Sequence, residues 1–224
     1  MTTLPSANKA RTSRGRRGSR PSGDDRELAI LATAERLLEE RPLGEISIDD
    51  LAKGAGISRP TFYFYFRSKD AVLLSLLDRV AAEADTVATS FANRRSGDPA
   101  TLWREVIGAF FHTFHAHRSV AIACAQAKAT SPEVRELWAT VMGKWVRRTQ
   151  EAIQAERDRG VAPDDGVPAA DLAVALNLMN ERAMYSAYAN ERPSIAEDDV
   201  VDVLLQVWLS TIYRTTTPSS TPAR

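Results

Sequence analysis

The sequence predicts an all-α fold, and three observations indicate it. Apolar residues recur at helical spacing along most of the 224 residues, and capping residues stand about one helix length apart. Only one run, residues 61–66, alternates as a strand would. Because 44% of the residues are hydrophobic, the chain can bury a substantial core, as one large domain or two small ones.

The first predicted helix covers about residues 24–41. Leu31, Ala34 and Leu38 fall on one side of it, which we expect to face the core. Pro42 ends the helix because proline cannot continue the hydrogen-bond ladder.

A second, short helix begins after Ser47, whose hydroxyl can cap the first turn. Asp49 and Asp50 follow, where carboxylates favour the positive end of the helix dipole. Gly54 and Gly56 then predict a tight turn, since glycine accepts the left-handed backbone that stops one helix before another begins.

A third helix is predicted from Ser58 to Phe66. Its run 61–66, TFYFYF, could also form a buried strand, because aromatic residues favour sheets. The serine cap, Pro60 in the first turn and a further capping signal directly after the run favour a helix. On that helix Phe62 and Phe66 share the inward face.

A short helix, a glycine turn and a second helix form the layout of a helix-turn-helix DNA reader. Arg59 is the predicted base contact, since arginine binds guanine through two hydrogen bonds. Hydroxyl and ammonium groups nearby are predicted to bind phosphate oxygens. The complete set of predicted DNA-contacting positions is Ser47, Ser58, Arg59, Pro60, Thr61, Tyr63, Tyr65 and Lys69.

Six further helices are predicted in the rest of the chain. Helix 4 follows Ser68 and connects the first three helices to the others. The predicted ranges of helices 4 to 9 are about 69–91, 98–116, 119–127, 132–159, 168–190 and 196–213. We expect a basic arm at 1–23, a DNA-binding domain at 24–68, a ligand-binding and dimerisation domain at 69–214 and a disordered tail at 215–224.

Net charge is zero, but it is divided unevenly along the chain. Residues 1–70 contain 13 Lys and Arg against 10 Asp and Glu, and the helix-turn-helix lies in this basic part. Residues 1–23 contain six basic residues and no acidic one, so this arm is either a DNA contact or a solvated tail. Its position beside the helix-turn-helix favours DNA.

Aromatic residues form stripes on helices 5 and 7, and helix 8 adds amides and a carboxylate to an apolar face that also includes Tyr188. Taken alone, such stripes are usually core packing. The alternative is an apolar pocket with a few polar groups that orient a small hydrophobic or amphiphilic ligand. The predicted pocket residues are Trp103, Phe110, Phe114, Trp138, Met142, Trp145, Thr149, Asn177, Asn180, Glu181, Met184 and, on helix 9, Trp208.

Several other functions find no support in the sequence. The single cysteine, Cys124, excludes an intrachain disulfide and is interpreted as a small buried residue. His112 and His115 have no acidic or cysteine ligand at a fitting spacing, so no metal is expected. No catalytic or cofactor motif is recognisable, and no membrane segment is expected, which predicts a soluble cytoplasmic protein without cofactors.

The helix-turn-helix region resembles the DNA-binding signature of the TetR family of bacterial repressors. The matching elements are 51–52 (LA), 54–58 (GAGIS), 61–63 (TFY), 65–66 (YF) and 68–70 (SKD). The resemblance extends over about residues 20–214. It implies a repressor with an N-terminal three-helix DNA-binding domain and a C-terminal helical domain.

The same resemblance bears on ligand, assembly and target. In the family member that residues 20–214 resemble, the matching helices line a hydrophobic tunnel and the matching asparagines bind ligands. Arg148 stands where that pattern has an aromatic residue, so ligand preference differs if it points inward. The resemblance also implies a homodimer through helices 8 and 9, release from operator DNA by a hydrophobic ligand, and control of a neighbouring flavin monooxygenase gene.

A second function remains open on the sequence alone. The apolar stripes and the zero net charge also fit a small-molecule carrier, or an enzyme, that has kept an inactive helix-turn-helix. Sequence-selective DNA binding distinguishes the repressor from this alternative.

Overall fold

The protein is described by a computed structural model that covers residues 23–92 and 98–218, without the side chains of residues 91 and 92. These ranges contain nine α-helices, two 3-10 turns and no strand, which confirms the predicted all-α class. The helices are α1 Gly23–Glu40, α2 Ile48–Gly54, α3 Arg59–Tyr65, α4 Lys69–Ala92, α5 Pro99–Ala116, α6 Arg118–Ala127, α7 Pro132–Asp158, α8 Ala169–Tyr188 and α9 Val200–Tyr213.

Three predicted features fall wholly or mainly outside the described ranges. They are the basic arm at 1–23, of which only Gly23 is described, the loop at 94–97, and the end of the tail beyond residue 218. The predictions for these segments remain predictions.

The helix-turn-helix begins with a capping box, in which the side chain of one residue and the backbone of the other satisfy each other's hydrogen-bonding groups. The Ser47 Oγ accepts a hydrogen bond from the Asp50 amide at 3.1 Å, and an Asp50 carboxylate oxygen accepts one from the Ser47 amide at 3.0 Å. The second of these bonds lowers the pKa of Asp50, with help from Arg41. The predicted cap is confirmed.

Glycine is needed at the two positions of the turn for different structural reasons. Gly56 has a φ of +67°, the left-handed conformation predicted for the turn. Gly54 is instead the last residue of α2, where the helix lies against α1. A Cβ at Gly54 would stand 2.3 Å from Thr33 Cγ2, so glycine is needed there for close packing rather than for backbone freedom.

The run 61–66 forms the second half of α3 and its cap, not a strand. Phe62 and Phe66 are buried against the other helices, as predicted. Phe64, by contrast, is 84% exposed. The alternation of aromatic residues therefore does not follow one buried face.

Helix α4 connects the first three helices to the rest of the chain. It packs on α1 near its start and then against α5, α6 and α7. With 24 residues it is about 36 Å long. A change in its direction would therefore move the helix-turn-helix relative to the C-terminal helices.

The C-terminal helices pack around one continuous core. Helices α7 and α8 lie together, and α9 packs on both α5 and α8. Helix α9 begins at Val200 and not at Ala196 as predicted, because residues 197–199 form a separate 3-10 turn. Its apolar surface is divided: one side is buried in the chain, whereas Val203 and Val207 remain 39% exposed.

We expect Gly54→Ala to destabilise the protein by about 1–3 kcal/mol, because the added methyl group overpacks the contact with Thr33. Thr33→Ala in the same chain removes the clashing methyl group and should restore part of the loss. Gly44→Ala is a matched control, because a Cβ at Gly44 meets nothing within 4 Å. Thermal unfolding measures all three, and equal midpoints for the Gly54 and Gly44 variants would contradict the packing argument.

Candidate DNA-binding surface and ligand cleft

Helix α3 presents a mixed polar and aromatic surface to solvent. Arg59, Pro60, Tyr63 and Phe64 are exposed, while Tyr65 is half-buried beside the core. Phe64 was not among the predicted DNA contacts. Its exposure is the signal that distinguishes it, and the sequence alone did not provide that signal.

Arg59, the predicted base contact, is held at the side of α2. Its guanidinium donates to an Asp49 carboxylate oxygen at 2.8 Å and to the Tyr63 hydroxyl at 3.4 Å. The hydrogen bond with Tyr63 and the charge of Asp49 raise the pKa of Arg59. Because the ion pair is exposed, it contributes little to stability, and a DNA base can replace Asp49 at small cost.

Lys69 does not extend toward solvent as a phosphate contact would. Its ammonium group donates to the carbonyl oxygens of Leu43, Gly44 and Ile46 at 2.8, 3.1 and 3.3 Å. An ammonium has three N–H donors, so none is left for a phosphate oxygen. This geometry corrects the predicted role, and we expect Lys69 to influence DNA binding by fixing the segment before α2 against α4.

The remaining predicted hydroxyl contacts are partly occupied by helix caps. The Ser47 hydroxyl donates to Asp50 at 2.8 Å. The hydroxyls of Ser58 and Thr61 form one hydrogen bond with each other at 2.8 Å, which leaves one of the two O–H donors for a phosphate.

Nine of the twelve predicted pocket residues line one small cleft between α5, α7 and α8. Tyr188, which the sequence placed on the same face of α8 without assigning it to the pocket, lines it too. The lining residues are Phe110, Phe114, Trp138, Met142, Trp145, Asn177, Asn180, Glu181, Met184 and Tyr188. The cleft volume is about 50 Å³, far below the roughly 300–1,000 Å³ of small-molecule pockets. The cleft is therefore closed in this structure.

Aromatic rings close the cleft by packing edge to face. Trp145 lies at its centre, with ring centroids 4.7 Å from Phe110, 5.9 Å from Phe114 and 6.1 Å from Trp138. Such pairs are favourable beyond the area that they bury. A ligand that enters must separate these rings and replace their contacts.

Both asparagines of α8 have spare hydrogen-bonding groups. The Asn177 amide nitrogen donates to Thr149 Oγ1 at 3.0 Å and to the Ala173 carbonyl at 2.8 Å. The Asn180 side-chain oxygen accepts from the Trp208 indole N–H at 2.9 Å. Within the described ranges, no hydrogen bond occupies the Asn177 oxygen or the Asn180 nitrogen, so both can serve a ligand.

Three predicted pocket residues stand behind the cleft rather than on its wall. Thr149 and Trp208 hold the two asparagines, as described above. Trp103 packs on Trp208 at 4.9 Å between ring centroids and donates from its indole N–H to the Tyr213 hydroxyl at 3.0 Å. Helical spacing placed them on the correct faces but could not resolve their depth.

Arg148 faces α4 and not the cleft. It forms an ion pair with Asp85 and a hydrogen bond to Thr89 Oγ1 at 3.2 Å. Lys144, one helical turn earlier, reaches the same carboxylate at 2.9 Å. Trp145, which forms the wall of the cleft, stands between these two cations in the sequence of α7. The ion pairs with Asp85 therefore connect this wall to the connector α4.

The part of the chain that the structure describes contains neither a cluster of metal ligands nor a membrane-spanning helix. Among residues 23–92 and 98–218, no three His, Cys, Asp or Glu side chains are grouped so that they could hold a metal ion. His115 pairs with Glu197 at 2.8 Å, and His117 pairs with Glu35 of α1. No helix in the same ranges is long and apolar enough to cross a bilayer.

Known protein families match both halves of the chain. The family of bacterial regulatory proteins called tetR matches residues 30–76, and the C-terminal domain of the transcriptional regulator EthR matches residues 103–214. The chain is 57% identical over 212 residues to the HTH-type transcriptional regulator EthR of Mycobacterium tuberculosis, covering 94% of this chain and 98% of that protein. The chain belongs to the TetR family. It is a DNA-binding transcriptional repressor of the EthR-like kind, as the sequence predicted.

Other relatives agree with this placement. EthR of Mycolicibacterium smegmatis is 53% identical over 212 residues, covering 95% of this chain and 97% of that protein. A TetR-family regulator from Syntrophomonas wolfei has a TM-score of 0.71 at 16% identity, over 85% of this chain and 96% of that one. A regulator from Saccharomonospora viridis, solved with choline, has a TM-score of 0.69 at 22% identity, over 81% and 94%. At such identities the last two show the fold alone.

We expect Lys69→Met to lower the thermal midpoint while leaving the salt dependence of DNA binding unchanged, because it removes the ammonium hydrogen bonds to three carbonyl oxygens but no phosphate contact. Lys53→Met is a control for the loss of one exposed cation from α2. A phosphate contact would instead lower the salt slope by about one. A lower salt slope with an unchanged thermal midpoint would show that Lys69 contacts a DNA phosphate, as the sequence predicted.

Proposed function

We propose that this repressor acts as a homodimer that binds operator DNA through α3 and is released when a small hydrophobic ligand opens the aromatic cleft. The observation that supports the release step most strongly is the link between Asp85 and two cations of α7. These ion pairs connect α7, which forms one wall of the cleft, to α4, the helix that follows the DNA-binding domain. We infer a division of the chain at residues 68 and 69, with α4 as the connector.

The exposed faces of α8 and α9 support a dimer. Val174 and Leu178 lie one turn apart on α8, as do Val203 and Val207 on α9, and each is at least 39% exposed. Apolar side chains at this spacing on two adjacent helices form a surface that water does not favour. Two copies that pair through it build a four-helix bundle and place two α3 helices for successive major grooves, roughly 34–36 Å apart.

On DNA, the exposed side chains of α3 divide into two roles. Arg59 leaves Asp49 and reads a guanine, while Tyr63, Tyr65 and the free hydroxyl of the Ser58 and Thr61 pair contact phosphate. Phe64 adds an apolar contact, for which a thymine methyl group is the suitable partner in the major groove.

The proposed ligand acts on operator binding because it binds one state of the cleft better than the other. The closed cleft holds about 50 Å³, so a ligand binds only the open state. Opening moves α7 outward, and the ion pairs at Asp85 transmit this movement to α4. A ligand that binds the open state better must weaken operator affinity by the same coupling free energy.

We propose further that the operator lies beside the gene for this chain and that a neighbouring flavin monooxygenase gene is controlled from it. The support is the family resemblance alone. Footprinting on the flanking DNA locates the operator, and a protected site away from any such gene would contradict this assignment.

We expect Arg59→Ala to reduce sequence preference at one operator position by roughly 5- to 150-fold, as the loss of a two-bond guanine contact does. Asp49→Asn should strengthen operator binding, because it frees Arg59 and removes a negative charge beside DNA. Gel-shift titrations against single-base operator variants measure both, with Arg104→Ala on α5 as the control. A uniform loss of affinity for all sequences would indicate that Arg59 contacts phosphate instead of a base. If the unmodified chain shows no sequence-selective DNA binding, the small-molecule carrier becomes the favoured function.

We expect Asp85→Asn to uncouple the cleft from DNA. The variant should still bind the hydrophobic ligand, which is measured as thermal stabilisation by that ligand. The factor by which the ligand weakens operator binding should fall by at least about fivefold, which is within the usual range of coupling energies. Asp202→Asn breaks an exposed ion pair with Arg104 elsewhere and serves as control. An unchanged ratio of operator affinities with and without ligand would show that Asp85 does not couple the sites.

A further inference from the structure

A histidine lies between two carboxylates where helices α1–α3 meet the C-terminal helices. His117 stands between α5 and α6, with its Nδ1 against a Glu35 carboxylate oxygen and its Nε2 3.5 Å from a Glu83 carboxylate oxygen. Glu35 belongs to α1, which packs on α2, and Glu83 belongs to the connector α4. One imidazole ring therefore holds three parts of the chain together, and we call these three side chains the histidine junction.

Both ring nitrogens of His117 face hydrogen-bond acceptors. An ionised carboxylate only accepts hydrogen bonds, and a neutral imidazole has one N–H donor and one acceptor nitrogen. Neutral His117 can therefore donate to only one of the two carboxylates, while its other nitrogen turns a lone pair toward the second. The imidazolium form donates from both nitrogens and also attracts both negative charges. All hydrogen bonds of the junction are thus made only when His117 is protonated.

The histidine junction is partly removed from water. The side chains of His117 and Glu35 are 26% and 27% exposed, so their charges are screened less than those of a fully exposed pair. Arg79 of α4 is a further charged group that faces this region. Because a guanidinium stays charged at any pH near neutrality, it cannot make the junction depend on pH. The other side chains around a cavity of about 450 Å³ at the junction are apolar: Leu28, Leu31, Ala32, Leu76, Val80 and Ala82.

The other two histidines do not reach helices α1–α3. The chain contains three histidines, and all of them lie in the described ranges. His115 pairs with Glu197 at 2.8 Å, within the C-terminal helices, and His112 is exposed on α5. The His117 side chain forms no cap hydrogen bond at the start of α6, so its contacts at the junction are not needed to begin that helix.

We propose that His117 is a proton-dependent clamp that fixes helices α1–α3 on the C-terminal helices. Histidine is the side chain whose charge ordinarily changes between about pH 5 and 8. Because only the closed junction gives the added proton two carboxylate partners, a lower pH in this range favours the closed junction. Operator DNA then binds helices whose orientation is already fixed, so affinity rises as the pH falls. The clamp needs no ligand and goes beyond the proposed release by a small molecule.

Thermal unfolding of the full chain at pH 6 and pH 8 tests the clamp itself. His117→Gln leaves a polar side chain that never becomes charged. It should lower the thermal midpoint by about 2–4 °C at pH 6 and by about half of that or less at pH 8. In a chain that already carries Glu35→Gln, the same substitution should cost less at pH 6, because one of the two carboxylates is gone. An equal cost at both pH values, or an equal cost with and without Glu35→Gln, would overturn the proposal.

Operator binding measures the consequence for function. The probe is a DNA duplex that the unmodified chain selects from a random library, and its affinity is measured by fluorescence anisotropy at one ionic strength. His117→Gln should weaken binding at least about threefold more at pH 6 than at pH 8, as expected for the loss of one partly exposed ion pair. His115→Gln is the matched control, because it removes a histidine whose carboxylate partner lies within the C-terminal helices.

The control variant should change operator affinity by the same factor at both pH values. A pH dependence that His115→Gln shares, or a constant factor for His117→Gln, would show that the clamp does not act on operator binding. Neither experiment contains a small-molecule ligand, so a negative result would leave the proposed ligand release standing.

Discussion

Helix α4 packs on the helix-turn-helix and on the C-terminal helices at once, within one continuous hydrophobic core. Val72, Leu73, Leu76, Leu77 and Val80 of α4 are all at most 4% exposed in this core. Because packed interiors do not deform continuously, α4 cannot shift against the C-terminal helices without changing the position of the helix-turn-helix. The fold therefore provides a mechanical path before any polar contact is considered.

The proposed ligand cleft lies where this constraint can be used. Its aromatic rings are packed closely enough that almost no free volume remains between them, so the closed state is stabilised by the rings themselves. Ligand binding must offset that packing, which favours ligands with enough apolar surface to replace it.

The sequence predicted helices, caps and faces well, because these depend on neighbours in the chain. It did not predict how deeply a side chain is buried or which neighbouring helix it contacts, because both depend on packing between helices. Phe62 and Phe64 have the same chemistry, and only the packing of α3 makes one buried and the other exposed. Lys69 bonds to carbonyls about 25 residues away, and Arg148 turns to α4 rather than inward, and neither contact has a local signature. Whether α8 and α9 pair with a second copy is likewise invisible to periodicity.

Opening of the cleft is proposed to change the separation of the two DNA-binding domains through α4. Pulsed electron paramagnetic resonance between spin labels at Lys53→Cys, an exposed position on α2, measures that separation in the dimer, with the buried Cys124 replaced by alanine. We expect one narrow distance distribution with operator DNA and a displaced one with a saturating small hydrophobic probe such as methyl decanoate. Release of the operator with an unchanged distance distribution would show that α4 does not transmit cleft opening to the DNA-binding domains.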